Sequence, residues 1–454
     1  MTDILDLQDW RVTSTRQEDS ELIIEAEYGI PPAACMKCGV IGRLYKHGPK
    51  PITIRDSPVR GRPVRLVAIA QRYKCRECSA TFIQPLGGIQ DEMRMTKRCV
   101  EYIEEQCLRD TFVRIAEHVG CDDKTVRNVA GGYIDKLNAA YQPYLPEWLG
   151  IDETQIDGVM RCVFTDIGRR VPIDMLATRD RDAVVTWLHR FRDVKRVRGL
   201  AIDMWKPYKD AARAIFPGLP VVIDKFHVVR MANVAMDDVR IMLAKTVPKR
   251  VGKDWMRRKS LLRMRYKDLD EKGRFNLDMW LENEPEVAQA YRLKEAFYDI
   301  YDAKSRDDAA EQLDTWRASV PAHMRKAPKR GFTPLLTATK NWRNEILAYF
   351  DHPISNGYTE ALNGVAKVIN RAGRGYSFEV LRARLLFGKE GRNTSLKRCP
   401  SCGGLFVSMV TTKLAVGADG LKPISTNETR TICTHCSERF HTEDHPQHDP
   451  LTTR

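Results

Sequence analysis

The chain has 454 residues, 43% of them hydrophobic and 30% charged, and carries a formal net charge of +14. That length predicts three or four domains rather than one core, and the basic excess predicts a polyanionic partner, nucleic acid in the simplest case. Neither an apolar run of ~18 residues nor an apolar N-terminal segment is present, so no membrane span or secretory signal is expected, and the protein is placed in a reducing cytoplasm.

Eight of the 12 cysteines form four Cys-x-x-Cys pairs, a spacing that in a cytosolic chain favours zinc over disulfides. The first two pairs, Cys35/Cys38 and Cys75/Cys78, flank a strand-like run over 64–73 preceded by a turn at Pro58, Gly61 and Pro63. Two knuckles joined by a hairpin predict a zinc ribbon, in which four thiolates close a structural site. This ribbon is assigned to residues 1–90. The scattered Cys99, Cys107, Cys121 and Cys162 are expected to be small buried apolar residues.

Residues 91–146 predict three short helices. Val100, Ile103 and Cys107 mark the first, and Phe112, Ile115, Ala116 and Val119 the second. Gly120 ends the second, Asp122 or Asp123 caps the next, and Val126, Val129, Tyr133 and Leu137 space the third. Helix, tight glycine turn, helix is the pattern of a helix-turn-helix, with Lys124, Thr125, Arg127 and Asn128 at the groove-facing start of the recognition helix. An ordinary three-helix bundle is the plainer alternative.

From Trp148 the pattern becomes α/β. Strands are predicted at 149–152, 159–166 and 171–177, a helix at 182–191, a strand at 197–203, a helix at 207–216 and a strand at 220–224. This is the element order of an RNase H-like fold, with its first acid on the first strand and its second at the end of the fourth. The count selects Asp152 and Asp203, each read as ending a strand. Asp224 also ends a strand and is the alternative second acid, although it can equally cap the helix that begins near Phe226. In that helix His227 is a possible phosphate contact. Glu153 faces away from Asp152 along a strand, and Asp157, Asp166 and Asp174 read as turn or strand-end residues.

More than 130 residues separate Asp224 from Glu360, too many for a loop. Residues 229–344 are helical in pattern and are read as an all-α insertion between the two parts of the core, 147–228 and 345–392. Within it, 249–265 is dense in cations, including Arg257, Arg258 and Lys259, which suit either a solvated face or a surface tracking phosphates. Trp255 is more simply a core residue than a base-stacking one. In 355–371, Leu362, Val365 and Ile369 define an apolar helix face, while Glu360, Asn363, Lys367 and Arg371 follow another. Ser355 or Asn356 caps its start. Glu360 then completes an acidic set, and Lys367 and Arg371 extend toward phosphate. Residues 393–454 carry Cys399, Cys402, Cys433 and Cys436, read as a second zinc ribbon with a polar tail.

The fold class is thus α/β multidomain: an RNase H-like core with a large all-α insertion, flanked by zinc ribbons and a helix-turn-helix. At its motifs the chain resembles DDE transposases of the ISL-three group of bacterial insertion sequences. They are Gly-Ile-Asp-Glu at 150–153, Ile-Asp-Met-Trp-Lys-Pro-Tyr at 202–208, Val-Ile-Asp-Lys-Phe-His-Val-Val-Arg at 222–230 and Ser-Asn-Gly-Tyr-Thr-Glu-Ala-Leu-Asn-Gly at 355–364. The N-terminal cysteine pairs belong to the same likeness, which runs from about residue 35 to 388. It implies a nucleoid-associated bacterial enzyme that binds the terminal inverted repeats of an element. Asp152, Asp203 and Glu360 would hold two Mg2+ (or Mn2+) ions for strand cleavage and transfer. Double-stranded DNA, as transposon ends and target, is the partner, and pairing two ends implies a homodimer or higher on DNA. A DNA-binding regulator and a structure-specific nuclease are the competing function classes.

Overall fold

The computed structural model describes residues 5–90, 92–191, 194–325 and 331–388, and beyond these only the strands between Phe406 and His441. The described chain forms two compact units, one from the residues up to Gln142 together with those from Ile369 onward, the other from Pro143–Val368.

The first unit opens with strands β1 (Trp10–Glu18), β2 (Glu21–Tyr28), β3 (Leu44–Val59), β4 (Arg62–Cys75), β5 (Thr81–Ile83), β6 (Ile89–Gln90) and β7 (Met95–Thr96). They form one sheet of order β1-β2-β4-β3-β7-β6, with β5 paired on β4. Along β4 burial alternates, so Val64, Leu66, Ala68 and Ala70 line a core with Trp10, Ile24 and Ile54. Arg60 and Gly61 both take positive φ, 53° and 75°, as the two-residue turn of the β3–β4 hairpin requires. The hairpin between the cysteine pairs is therefore present, and longer than the run at 64–73. Strands β1 and β2 precede it, where the sequence pattern predicts none.

Three helices follow: α1 (Lys97–Gln106), α2 (Phe112–Val119) and α3 (Asp123–Ala140). Each is capped by a side-chain oxygen, from Thr96, Thr111 and Asp122, and α2 stops at Gly120 in the left-handed conformation, φ 75°. Their core contains Ile103, Ile115, Val119, Val126 and Tyr133, and it is closed by Leu386 and Phe387 from a later helix. Cys99 and Cys107 lie inside it and Cys121 is half-buried at its margin.

The second unit begins with β8 (Trp148–Ile156), β9 (Val159–Asp166) and β10 (Val171–Leu176), then α4 (Arg181–Leu188), β11 (Gly199–Ile202), α5 (Lys206–Ile215) and β12 (Val221–Ile223). The sheet order is β10-β9-β8-β11-β12; β8 to β10 run antiparallel, while β11 lies parallel to both β8 and β12. Phe164 and Trp187 stack at 3.9 Å within its core, and the indole donates to Asp174 at 2.6 Å. Asp174 is thus a buried mid-strand residue, unlike the strand-end role read for it. Asp157 sits in the β8–β9 turn and Asp166 ends β9. Cys162 is buried in the same core.

Helices then take over: α6 (Lys225–Leu243), α7 (Lys249–Arg257), α8 (Lys259–Arg263), α9 (Glu271–Asn283), α10 (Pro285–Ile300), α11 (Arg306–Ser319), α12 (Ala322–Arg325), α13 (Thr333–Asn341) and α14 (Arg343–Asp351). Leu277, Phe297, Leu313, Trp316 and Phe332 fill their core. Trp255 is buried 5.7 Å from Trp280, a core residue that no base can reach. Lys294 is also buried; its ammonium donates to the carbonyls of Leu262 and Met264 and so ties down the end of α8. None of the described helices is long and apolar enough to cross a membrane.

Last come α15 (Gly357–Gly373) and α16 (Phe378–Phe387), the latter being the helix that closes the core of α1 to α3. The start of α15 meets β8 through a buried polar layer, in which Thr165 and Thr359 share a hydrogen bond of 2.6 Å and the Asn356 amide donates to Ile151 O at 3.3 Å. Gly150 makes this approach possible, since a Cβ there would lie under 3.0 Å from oxygens of Thr165, Asn356 and Thr359. Gly150→Ala is therefore expected to lower stability by about 1–3 kcal/mol, the usual range for overpacking a tight interior. Urea unfolding checks this; an unchanged midpoint would mean the layer yields freely.

Two small antiparallel sheets lie further on, Phe406–Val410 with Thr429–Cys433 and Arg439–His441, and Leu414–Gly417 with Gly420–Pro423. The candidate zinc ligands Cys399, Cys402 and Cys436 lie outside the described residues, and of Cys433 only its strand is described.

Candidate active site

Parallel pairing fixes the acidic cluster. Ile151 pairs with Ile202, and Ile202 with Ile223, so the next residues on three adjacent strands, Asp152, Asp203 and Asp224, stand at one level. Asp203 and Asp224 follow the last residues of β11 and β12. Asp152 does not end its strand, because β8 continues to Ile156 and the residues after Asp152 pair with β9.

Asp152 is buried, accepting from Glu153 N at 2.8 Å and from Asn363 Nδ2 at 2.8 Å. Burial, with the charges of Asp203 and Glu360 adding to it, pushes its carboxyl up to about 7 against the pull of the Glu153 amide and His227. Asp203 accepts from Met204 N at 2.6 Å and meets His227 Nδ1 at 3.0 Å. On its other side His227 Nε2 lies 2.8 Å from Glu360 Oε1. Burial works against the imidazolium, but the Asp203 hydrogen bond and the charges of Asp203, Asp152 and Glu360 outweigh it and raise His227 to about 9. Burial also raises Glu360.

Asp224 is fully buried and caps α6 through a 3.4 Å bond from Phe226 N, so the capping role is real. Burial raises its carboxyl against the pull of the Phe226 and Asn356 amides and of His227. Ligand atoms of Asp152, Asp203 and His227 lie within 4.8 Å of one another, as do those of Asp224, His227 and Glu360. Four carboxylates thus surround one imidazolium. Such an excess of hard oxygen donors fits a small divalent cation of the magnesium type.

Arg179 and Trp205, and the role of Asn363, have no signal in the sequence. Asn363 lies one turn after Glu360 and was placed on its face, yet its role in holding Asp152 depends on a contact 211 positions away. The Arg179 guanidinium meets Glu153 Oε1 at 2.5 Å and stacks 4.0 Å over the Trp205 ring, bracing the residues beside Asp152 and Asp203. Nothing in their spacing announces this. Lys367 and Arg371 are exposed further along α15.

In the first unit Cys35 and Cys78 approach to 3.7 Å, Cys38 and Cys75 to 3.8 Å, and all four sulfurs lie within 4.8 Å of one another. A tetrahedral zinc with Zn–S near 2.3 Å sets its sulfurs about 3.8 Å apart, so the quartet fits that ion. The amides of Lys37 and Glu77 point at Cys35 and Cys75 at 3.4 Å, favouring thiolates. Lys124, Arg127 and Asn128 are exposed on the first turns of α3. There Thr125 bonds to Asp122, and Arg127 pairs with Asp123 at 2.7 Å. Arg257 and Arg258 are exposed at the end of α7, and Lys259 is half-exposed where α8 begins.

A recessed carboxylate cluster and a thiolate quartet in one basic chain describe a nucleic-acid-processing enzyme, and comparison with known proteins identifies its class as transposase. A family model described as transposase, of the ISL3 type, matches residues 149–385, and one described as the zinc-finger of transposase IS204/IS1001/IS1096/IS1165 matches residues 31–78. The transposase for insertion sequence element IS1001 of Bordetella parapertussis is 24% identical over 358 residues, covering 75% of this chain and 85% of that protein. The first match spans more than half of the chain, which belongs to the ISL3 family of transposases. It is a DNA-cleaving and DNA-transferring enzyme with a zinc ribbon.

Proposed function

We propose that Asp152, Asp203 and Glu360 are the catalytic acids of an RNase H-like core that cuts the ends of an insertion sequence and joins them to target DNA. The observation that carries this is the acidic cluster itself, on adjacent parallel strands and one helix. A DNA-binding regulator has no use for four recessed carboxylates. Asp203 is favoured over Asp224 as second acid because it is partly accessible beside Asp152, whereas Asp224 is sealed and occupied in capping α6.

Asp152, Asp203 and Glu360 would hold two magnesium ions, which when bound acidify a water and neutralise charge on the phosphate in an in-line displacement. Asn363 fixes the Asp152 carboxylate, and Arg179 with Glu153 keeps the neighbouring backbone in place. His227 Nε2 keeps its proton beside Glu360 Oε1 and holds that carboxylate toward the cluster; a phosphate oxygen that enters the site competes with Glu360 for the same N–H. Lys367 and Arg371 on α15, and Arg257, Arg258 and Lys259 in the helical insertion, contact backbone phosphates. The test is joining of a labelled, precut end, taken from DNA flanking the gene, to a target duplex with Mg2+ or Mn2+. End binding without joining would turn the reading toward a regulator, and cutting without joining toward a nuclease.

In the same reading, α2 and α3 form a helix-turn-helix whose Lys124, Thr125, Arg127 and Asn128 meet the terminal inverted repeats, with the ribbon beside it. The protein acts as a homodimer or higher on DNA in the bacterial nucleoid, and Cys399, Cys402, Cys433 and Cys436 hold a second zinc. Lys124→Ala is expected to weaken end binding and lower the slope of log affinity against log salt by about 1, as loss of one phosphate contact does. Anisotropy titrations measure it, and an unchanged slope would remove Lys124 from the interface.

A further inference from the structure

Beside Asp203 opens a cavity of about 750 Å³ that the chemistry above does not use. Its walls are Met204, Met231, Pro334, Ala338 and Trp342, with Thr333, Thr337 and Asn341 contributing short polar groups. Among the described residues Asp203 is the sole charged one lining it. Its size is that of a small-molecule site. The Lys209 ammonium lies 4.7 Å from the Trp342 ring centroid and is held there by Glu345 at 2.5 Å. The indole so held also lines the cavity.

We propose that this cavity receives one nucleobase of the DNA end, swung out of the duplex next to the phosphodiester that Asp203 addresses. The inference rests on the assignment of Asp203 to the cleavage site. Its ground is complementarity. A wall of thioethers, an indole, a proline and neutral polar groups beside a carboxylate repels a phosphate but accepts a neutral aromatic ring. The amide of Asn341 has the donor and acceptor pair that reads a base edge. There is also a need for it. Asp152 is 3% exposed and the Asp203 side chain 20%. A phosphodiester reaches acids so recessed more easily when a flanking nucleotide leaves the stack, and a stacking platform offsets the cost of unstacking. Trp342 is then a positioning residue rather than a catalytic one.

The test compares cleavage of a fully paired end with that of an end mismatched at the pair flanking the scissile phosphate. Trp342→Ala should cleave the paired end about 10- to 100-fold more slowly than wild type, the value of one base–aromatic stack. It should regain most of that loss on the mismatched end, where unstacking costs less. Equal slowing on both ends marks a merely structural role and overturns the proposal, as does a wild-type rate on the paired end. Met231→Trp, which fills the cavity, should slow the paired end as well; it decides the matter if Trp342→Ala does not fold.

A second readout needs no cleavage. With 2-aminopurine placed in turn at each position near the end, binding of wild type should change fluorescence at one position only, and Met231→Trp should abolish that change. A position-specific change from a protein that cleaves neither end would uphold the cavity and overturn the role of Asp203. No such change overturns the cavity.

Discussion

Glu360→Gln is expected to bind a transposon end as wild type does and to join it at least 10²–10³-fold more slowly, about the cost of removing one preorganised charge-stabilising group from an active site. The substitution keeps the volume of the side chain and its place on α15, so its effect isolates the charge. Asp152→Asn and Asp203→Asn should behave alike. Asp224→Asn should retain joining, because its burial and its bond to Phe226 N assign it to the start of α6. Labelled-end joining alongside gel-shift binding separates the outcomes. Survival at Asp203→Asn with loss at Asp224→Asn would exchange the two residues, and an active Glu360→Gln protein would falsify the acidic-cluster mechanism altogether.

Zinc removal should have the other large effect, and a local one. Structural zinc binds with an apparent free energy of about 10–16 kcal/mol near neutral pH, so the knuckles cannot hold their shape without it. The sheet beside them has a core of its own, built on Trp10, Ile24, Ile54 and Leu66. Cys75→Ser should therefore remove one equivalent of zinc, and chelation every equivalent bound, weakening end binding while leaving most secondary structure intact. Hydrogen exchange should accelerate at the amides of Lys37, Gly39 and Glu77, which now bond within the knuckles, and hardly at all along the middle of β4. Global unfolding would show that the sheet core is insufficient alone. Unchanged exchange would show that the quartet holds no metal.

Much of this arrangement could be read from sequence where one physical signal dominated. The apolar runs ending at Ile151, Ile202 and Ile223 marked three strands, and the residue after each was the aspartate that the parallel register aligns. Gly120 and Asp122 marked the turn between α2 and α3 because few other residues serve there. The signal failed where neighbours decide. Glu153 to Gln155 look like the start of a loop, and only pairing with β9 keeps them in a strand. In β1 only Trp10 is buried, so that edge strand shows no alternation to detect. His227 was legible as a helix-start residue, but its place between Asp203 and Glu360 comes from the approach of α15, which no local spacing encodes.

The wide separation of the two halves of the cluster also sets a clock. Asp152 meets Asn363 across 211 positions. At roughly 5–20 residues per second of synthesis, about 10–40 seconds pass between making one and making the other. Until then the acidic cluster is incomplete, and the core of α1 to α3 waits longer still, for Leu386 and Phe387 of α16. Both units thus reach their final packing only after α15 and α16 are made, so a chain still being synthesised cannot break a phosphodiester.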